Sequence, residues 1–96
     1  MTNEADMEEL AVAIGKNIRE KRRANGLSQD RFALLAGIDR SYMGRIERGE
    51  VSITIEMLYR IAATLQCEPI TLLPKMSSIR LPKEGLNNCR YSSTLT

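Results

Sequence analysis

The stretch Leu27–Gly49, LSQDRFALLAGIDRSYMGRIERG, decides the fold, because it spells two short helices, each with its own start and stop signal. Ser28 stands just before an apolar-periodic run, and its hydroxyl oxygen can accept hydrogen bonds from the free amides of a first turn. Asp30 suits the positive end of the same helix dipole. Phe32, Ala33 and Ala36 follow at helical spacing, and Gly37 then supplies the left-handed backbone that ends a helix without steric penalty. The chain turns at Gly37 and Ile38. Asp39 is positioned to cap a second helix, with Met43 and Ile46 as its inward face and Gly49 as a second terminating glycine. That leaves Arg40, Ser41, Tyr42, Gly44, Arg45 and Arg48 facing outward.

Two capped helices joined by a glycine turn, the second with a basic outer face, make the layout of a DNA-reading helix-turn-helix. The run resembles the helix-turn-helix of the Xre family, which includes Cro, phage repressors and the controller proteins of restriction-modification systems. The matching pattern is G-[LM]-[ST]-Q, then an A-G-[IVL] turn, then an I-E-x-G close. It stands here as Gly26-Leu27-Ser28-Gln29, Ala36-Gly37-Ile38 and Ile46-Glu47-Arg48-Gly49. The likeness extends from about Ile14 to Leu73. It implies a compact five-helix, lambda-repressor-like all-α domain that binds near-palindromic double-stranded DNA operators as a homodimer.

Length and composition bound the reading independently. At 96 residues, with 43% hydrophobic and 27% charged content, the chain can hold one small core. We expect a DNA-binding domain over residues 1–74 and a tail over 75–96. No apolar run approaches the roughly 18 residues that span a bilayer, and the acidic start lacks the basic opening of a secretory signal, so the expected location is the cytoplasm. Cys67 and Cys89 make no disulfide framework, and without histidine the usual zinc patterns cannot be assembled. No metal and no cofactor is expected. Cys67, at a helix end among apolar neighbours, reads as a small buried hydrophobe rather than a redox switch.

Charge is unevenly spread. Residues 1–13 hold four acids and no base, whereas residues 14–50 hold nine bases against five acids. The basic excess therefore coincides with the two-helix turn, as a polyanion partner requires. The rest reads as scaffold. Met7, Leu10, Ala11, Ile14 and Ile18 recur at helical intervals and predict an amphipathic first helix from about Asp6 to Ala24, ended by Asn25-Gly26. Thr54 caps a fourth helix with an inner stripe of Ile55, Leu58, Ile61, Ala62 and Leu65. Pro69 opens a short fifth helix running to Leu73, and Pro74 stops it.

Within this frame the outward side chains divide into readers and positioners. Arg40 and Arg45 carry planar forks suited to guanine O6 and N7 in the major groove, Ser41 can meet a base edge, and Tyr42 can touch a thymine methyl or a phosphate. Gln29, at the start of the second helix, is placed to hold a phosphate, as the family's matching glutamine does. Arg48, Arg23 and Lys16 are phosphate candidates, each with a solvated charge as the alternative. Gly44 is expensive inside a helix, which points to close approach by DNA or another backbone. Glu47 would repel phosphate if it pointed outward. The resemblance implies instead an inward ion pair with Arg22.

The resemblance also places dimer contacts near the fourth and fifth helices, making Ile70, Leu72, Leu73 and Tyr59 candidates, with ordinary core as the competing reading. Two departures from the family pattern stand out. Leu34 and Leu35 occupy positions where a polar pair is usual, which suggests an extra apolar contact with the first helix, the tail or a partner. The tail carries Ile79, Leu81, Leu86, Tyr91 and Leu95, too many apolar groups for a solvated linker, so it is expected to be loosely ordered and to fold back on the core or across the dimer. The favoured function is a sequence-specific transcriptional regulator of phage-repressor or controller type, with RNA polymerase as a further partner if it activates. No membrane association and no small-molecule ligand are expected. The alternative is a protein-interaction module such as an antitoxin. Enzyme chemistry is disfavoured: there is no histidine base, neither cysteine has an activating neighbour, and no strand precedes a phosphate-cradling glycine loop.

Overall fold

The computed structural model describes residues 8–81. Four α-helices form where the periodicity places them: α1 over Leu10–Ala24, α2 over Gln29–Ala36, α3 over Arg40–Glu47 and α4 over Ile55–Leu65. The fifth helical element is a 3-10 turn over Pro69–Leu72, with Pro69 opening it, and a second 3-10 turn covers Met76–Ser78. The three caps act as the sequence predicts. Ser28 Oγ accepts from Arg31 N at 3.1 Å, an Asp39 carboxylate oxygen from Tyr42 N at 3.2 Å and Thr54 Oγ1 from Met57 N at 3.1 Å.

All four α-helices close in the same way. After α2 the Gly37 amide donates to Leu34 O at 3.2 Å and the Ile38 amide to Ala33 O at 2.9 Å, a pair of bonds made possible by the left-handed Gly37 (φ 69°). The α4 end repeats the pattern with Gln66, a non-glycine, at φ 55°.

The core is one cluster drawn from every helix. Phe32, Ile18, Met43, Ile46, Ile61 and Leu72 are its largest fully buried side chains, each stabilising the fold by about 1.5–3 kcal/mol relative to exposure. Asn17 fastens the 3-10 turn to α1 by donating from Nδ2 to Leu72 O at 3.1 Å.

Several expectations are corrected. α1 begins at Leu10, because Glu8–Glu9 is extended and pairs in parallel with Ile79–Arg80, Glu8 opposite Ile79. We name these two-residue strands β1 and β2; they add a small sheet to the helical plan. Ile79 is buried there, so the chain just beyond Pro74 returns to the start of α1. Ile55 is 70% exposed and stands off the inner stripe of α4, since the stripe begins one turn later at Leu58. Leu34 and Leu35 are exposed rather than packed on α1. Cys67 is half-buried against the core. The expectations for Asp6, Met7, Leu86, Cys89, Tyr91 and Leu95 lie outside the described residues.

The crossing of α1 and α3 depends on a residue the periodicity does not flag. Gly15 faces α3, and a methyl group there would lie 2.7 Å from Glu47 O and closer still to Ile46 O. Helix propensity alone would make Gly15→Ala stabilising by about 1 kcal/mol. The crossing reverses the sign: we expect a loss of about 1–3 kcal/mol, read as a fall in the thermal midpoint of roughly 4–8 °C per kcal/mol.

Candidate nucleic-acid interface

Helix α3 is a rod with two faces. Met43 and Ile46 are buried in the core and Glu47 is buried beside them, while Arg40, Ser41, Arg45 and Arg48 are exposed. At about 100° per residue, Ser41, Arg45 and Arg48 fall within about 60° of arc and Arg40 stands to one side. The structure therefore brings Ser41, Arg45 and Arg48 together on one solvent-facing strip and leaves Arg40, a proposed base reader, at its edge. Two of the outward assignments need correction. Tyr42 is half-buried against the core, leaving part of its ring available. Gly44 is buried under the protein's own side chains: a methyl there would lie 3.1 Å from Arg48 Nη1 and 3.5 Å from Gln29 Oε1. Its missing side chain makes room for Arg48 and Gln29.

What aims this strip is a buried ion pair. Arg22 of α1 donates from Nε to Glu47 Oε2 at 2.7 Å and from Nη2 to Glu47 Oε1 at 3.0 Å, a forked pair whose side chains are only 10% and 2% exposed. Arg22 Nη1 donates to Leu27 O at 2.8 Å, and Gln29 Nε2 donates to Glu47 Oε1 at 3.1 Å. The pair thus ties α1, the turn before α2, and α3 into one unit. Gln29 has one amide hydrogen engaged inward, while its backbone amide belongs to the first turn of α2, ahead of the first helical bond from Phe32 N to Ser28 O.

The exposed arginines around α3 each face a carboxylate. Arg40 Nε lies 3.2 Å from Asp30 Oδ1 across the helix pair, and both side chains are largely in solvent. Arg48 donates from Nε to Glu50 Oε2 at 2.7 Å and from Nη2 to Glu50 Oε1 at 3.4 Å, with Arg45 Nε 3.9 Å from the same Oε1. The Arg48 hydrogen bonds hold the Glu50 carboxyl below its ordinary value, Arg45 adding to the attraction, and Glu50 in turn raises Arg48. Glu50 is therefore ionised throughout the neutral range, and its pairing is lost only as pH falls through that lowered value. Composition does not reveal these partners. The signals were a carboxylate in the first turn of α2 and another immediately after Gly49.

On α1, Lys16 is held by Glu8 at 3.1 Å and Arg23 is exposed in the last turn. Both sit about 100° around the helix from Gly15 and Arg22, the residues that meet α3. Of the dimer candidates, Ile70 is 73%, Tyr59 59% and Leu73 42% exposed, whereas Leu72 at 0% belongs to the protomer's own core. Ile55 joins the exposed set one turn before Tyr59 on α4, against which the 3-10 turn of Ile70 packs.

Fold and surface together define a DNA-binding regulator of the helix-turn-helix class. The chain belongs to the helix-turn-helix family HTH_3, which it matches over residues 18–72. It is similar to control protein C.SmaI of Serratia marcescens, 34% identical over 80 residues that cover 83% of this chain and 86% of that protein. Among solved structures it resembles the restriction-modification controller protein C.AhdI from Aeromonas hydrophila, with 41% identity and a TM-score of 0.64 over 66% of this chain and 96% of that one. It also resembles SinR, a master regulator for biofilm formation crystallised with DNA, at 33% identity and a TM-score of 0.59 over 62% of this chain and 95% of that one. The resemblance to the Xre family is borne out.

Removing one partner of a buried charge pair strands the other, so Glu47→Ala should lower stability by about 3–5 kcal/mol. Urea denaturation measures this. The loss of stability should exceed any change in the base preference of the fraction that remains folded.

Proposed function

We propose that this protein is a sequence-specific transcriptional regulator of controller type, acting as a homodimer on a near-palindromic operator and without enzymatic activity. The observation that carries the reading is the strip of Ser41, Arg45 and Arg48 on α3, with Arg40 beside it, exposed and rigidly presented by the buried Arg22–Glu47 pair. Arg45 and Arg40 read guanine edges, Ser41 and the free part of Tyr42 contact neighbouring bases, and Arg48 with the Gln29 amide holds phosphates. Lys16 and Arg23 of α1 add phosphate contacts at the flank, with Gly44 giving Arg48 and Gln29 the room to lie against the helix.

A single eight-residue helix reads only a few base pairs, so discrimination requires two copies about 34 Å apart on a two-fold axis. Ile55, Tyr59, Ile70 and Leu73, exposed on adjoining elements, supply the apolar surface for that pairing. Among the described residues no helix is long and apolar enough to cross a membrane, in keeping with a cytoplasmic site of action.

Footprinting on DNA upstream of the protein's own reading frame tests the proposal, and competition with single-base variants tests the division of labour. Arg45→Ala should lose about 1–3 kcal/mol of discrimination at one position in each half-site. Arg48→Ala should weaken all sequences alike and reduce the salt slope by about 1. Equal losses on every variant for both proteins would refute the assignment.

A further inference from the structure

Glu50 stands where helix electrostatics disfavour it. It follows Gly49 in the turn that closes α3, at the negative end of the helix dipole, where a base is stabilising and an acid is not. Its backbone is pinned, since the Glu50 amide donates to Arg45 O at 2.9 Å and the Gly49 amide to Ile46 O at 3.1 Å. From that fixed point the carboxylate reaches back along α3 and takes two donors of Arg48, at 2.7 and 3.4 Å. A carboxylate accepting a forked guanidinium presents oxygens much as a DNA phosphate does.

We propose that Glu50 occupies, in the free protein, the place a backbone phosphate takes in the complex, so that DNA must displace it from Arg48. This competition sets the protein concentration at which sites fill. The inference rests on the DNA-binding reading above and deepens it. Arg45, whose Nε lies 3.9 Å from the carboxylate, makes no hydrogen bond to give up. The competition therefore falls on the phosphate contact and leaves base reading alone. Arg48 and Glu50 are both about half exposed, at 57% and 48%, so the exchange of partners requires no unfolding. Once phosphate holds Arg48, the released carboxylate lies beside a polyanion and is repelled. Both effects apply to every sequence alike.

The experiment measures, by fluorescence anisotropy, the binding of the full chain and its Glu50→Gln variant to two duplexes: the segment upstream of the reading frame and a scrambled duplex of equal length. The variant should bind both about threefold to tenfold more tightly at 0.1 M salt, with a salt slope steeper by about one. The preference for the upstream segment over its single-base variants should be unchanged. In an Arg48→Ala background the same substitution should gain about twofold or less, since only the repulsion remains. Glu50→Ala, with an independent side chain, should reproduce the gain.

A gain of equal size with and without Arg48 would make Glu50 a merely repelling charge and overturn the competition. Weaker binding by Glu50→Gln would show that Glu50 orients Arg48 for DNA, and would overturn it too. The scrambled duplex separates this failure from that of the operator reading. Wild-type protein that binds both duplexes equally refutes an operator there, while a Glu50→Gln gain on both still supports the competition.

Discussion

The forked pair between Arg22 and Glu47 is the constraint on which the rest of the structure depends. Burial of apolar surface drives the helices together but has no direction, and eight-residue helices such as α2 and α3 are too short to persist alone. The pair supplies the direction. It fixes which residue of α1 faces which residue of α3, and through Gln29 and Leu27 O it also fixes how α2 enters. Among the described residues no buried side-chain polar atom lacks a partner, so the pair is satisfied as well as buried. Gly15 allows the approach that the pair requires, because any side chain there would meet the α3 carbonyls before Arg22 reached Glu47.

A buried pair of this kind contributes little net stability compared with an apolar substitute. What it contributes here is the orientation of α3 relative to the rest of the domain, and hence the angle at which Arg40, Ser41 and Arg45 leave the surface. The repeated helix closures serve the same end. Each ends its helix at a defined residue, so α3, which carries the strip, is bounded by the Asp39 cap and the Gly49 closure. In the proposed dimer, small errors in that presentation would be repeated at both half-sites.

Local chemistry was legible in the sequence and long-range geometry was not. Ser28, Asp39 and Thr54 cap helices because their side chains bond amides three residues on, a relation contained within one turn. The Arg22–Glu47 pair was legible only through the family likeness, since nothing in their spacing brings positions 22 and 47 together. Gly15 reads as a weak helix residue until α3 is seen against it. Ile55, expected on the inner stripe, is exposed, and Leu72, for which dimer contact and core were both open, is buried, for one reason: the terminal turn of a helix can lie either side of the core boundary, and periodicity cannot tell which. The β1–β2 pairing joins residues 71 positions apart, with two residues in each strand, too short to show alternation. On the exposed face of α3 the arginines were legible by residue type, whereas Asp30 and Glu50 as their partners depend on how α2 and the final turn are aimed.

The arginines around α3 therefore belong to two physical kinds. Arg22 is enclosed, and taking it from its carboxylate would leave a charge in a low-dielectric interior with nothing to replace the bond. Arg40, Arg45 and Arg48 are open, and their partners Asp30 and Glu50 are themselves largely solvated, so each pair holds with little net energy and weakens as salt rises. A surface with the second kind alone would be poorly aimed, and one with the first alone would have no free charge to present. Placing the fixed pair beneath the helix and the exchangeable ones on top separates the two requirements. On the proposed reading, docking on DNA can then proceed by trading a carboxylate for a phosphate at Arg48 and for base edges at Arg40, at an interface whose backbone does not have to move.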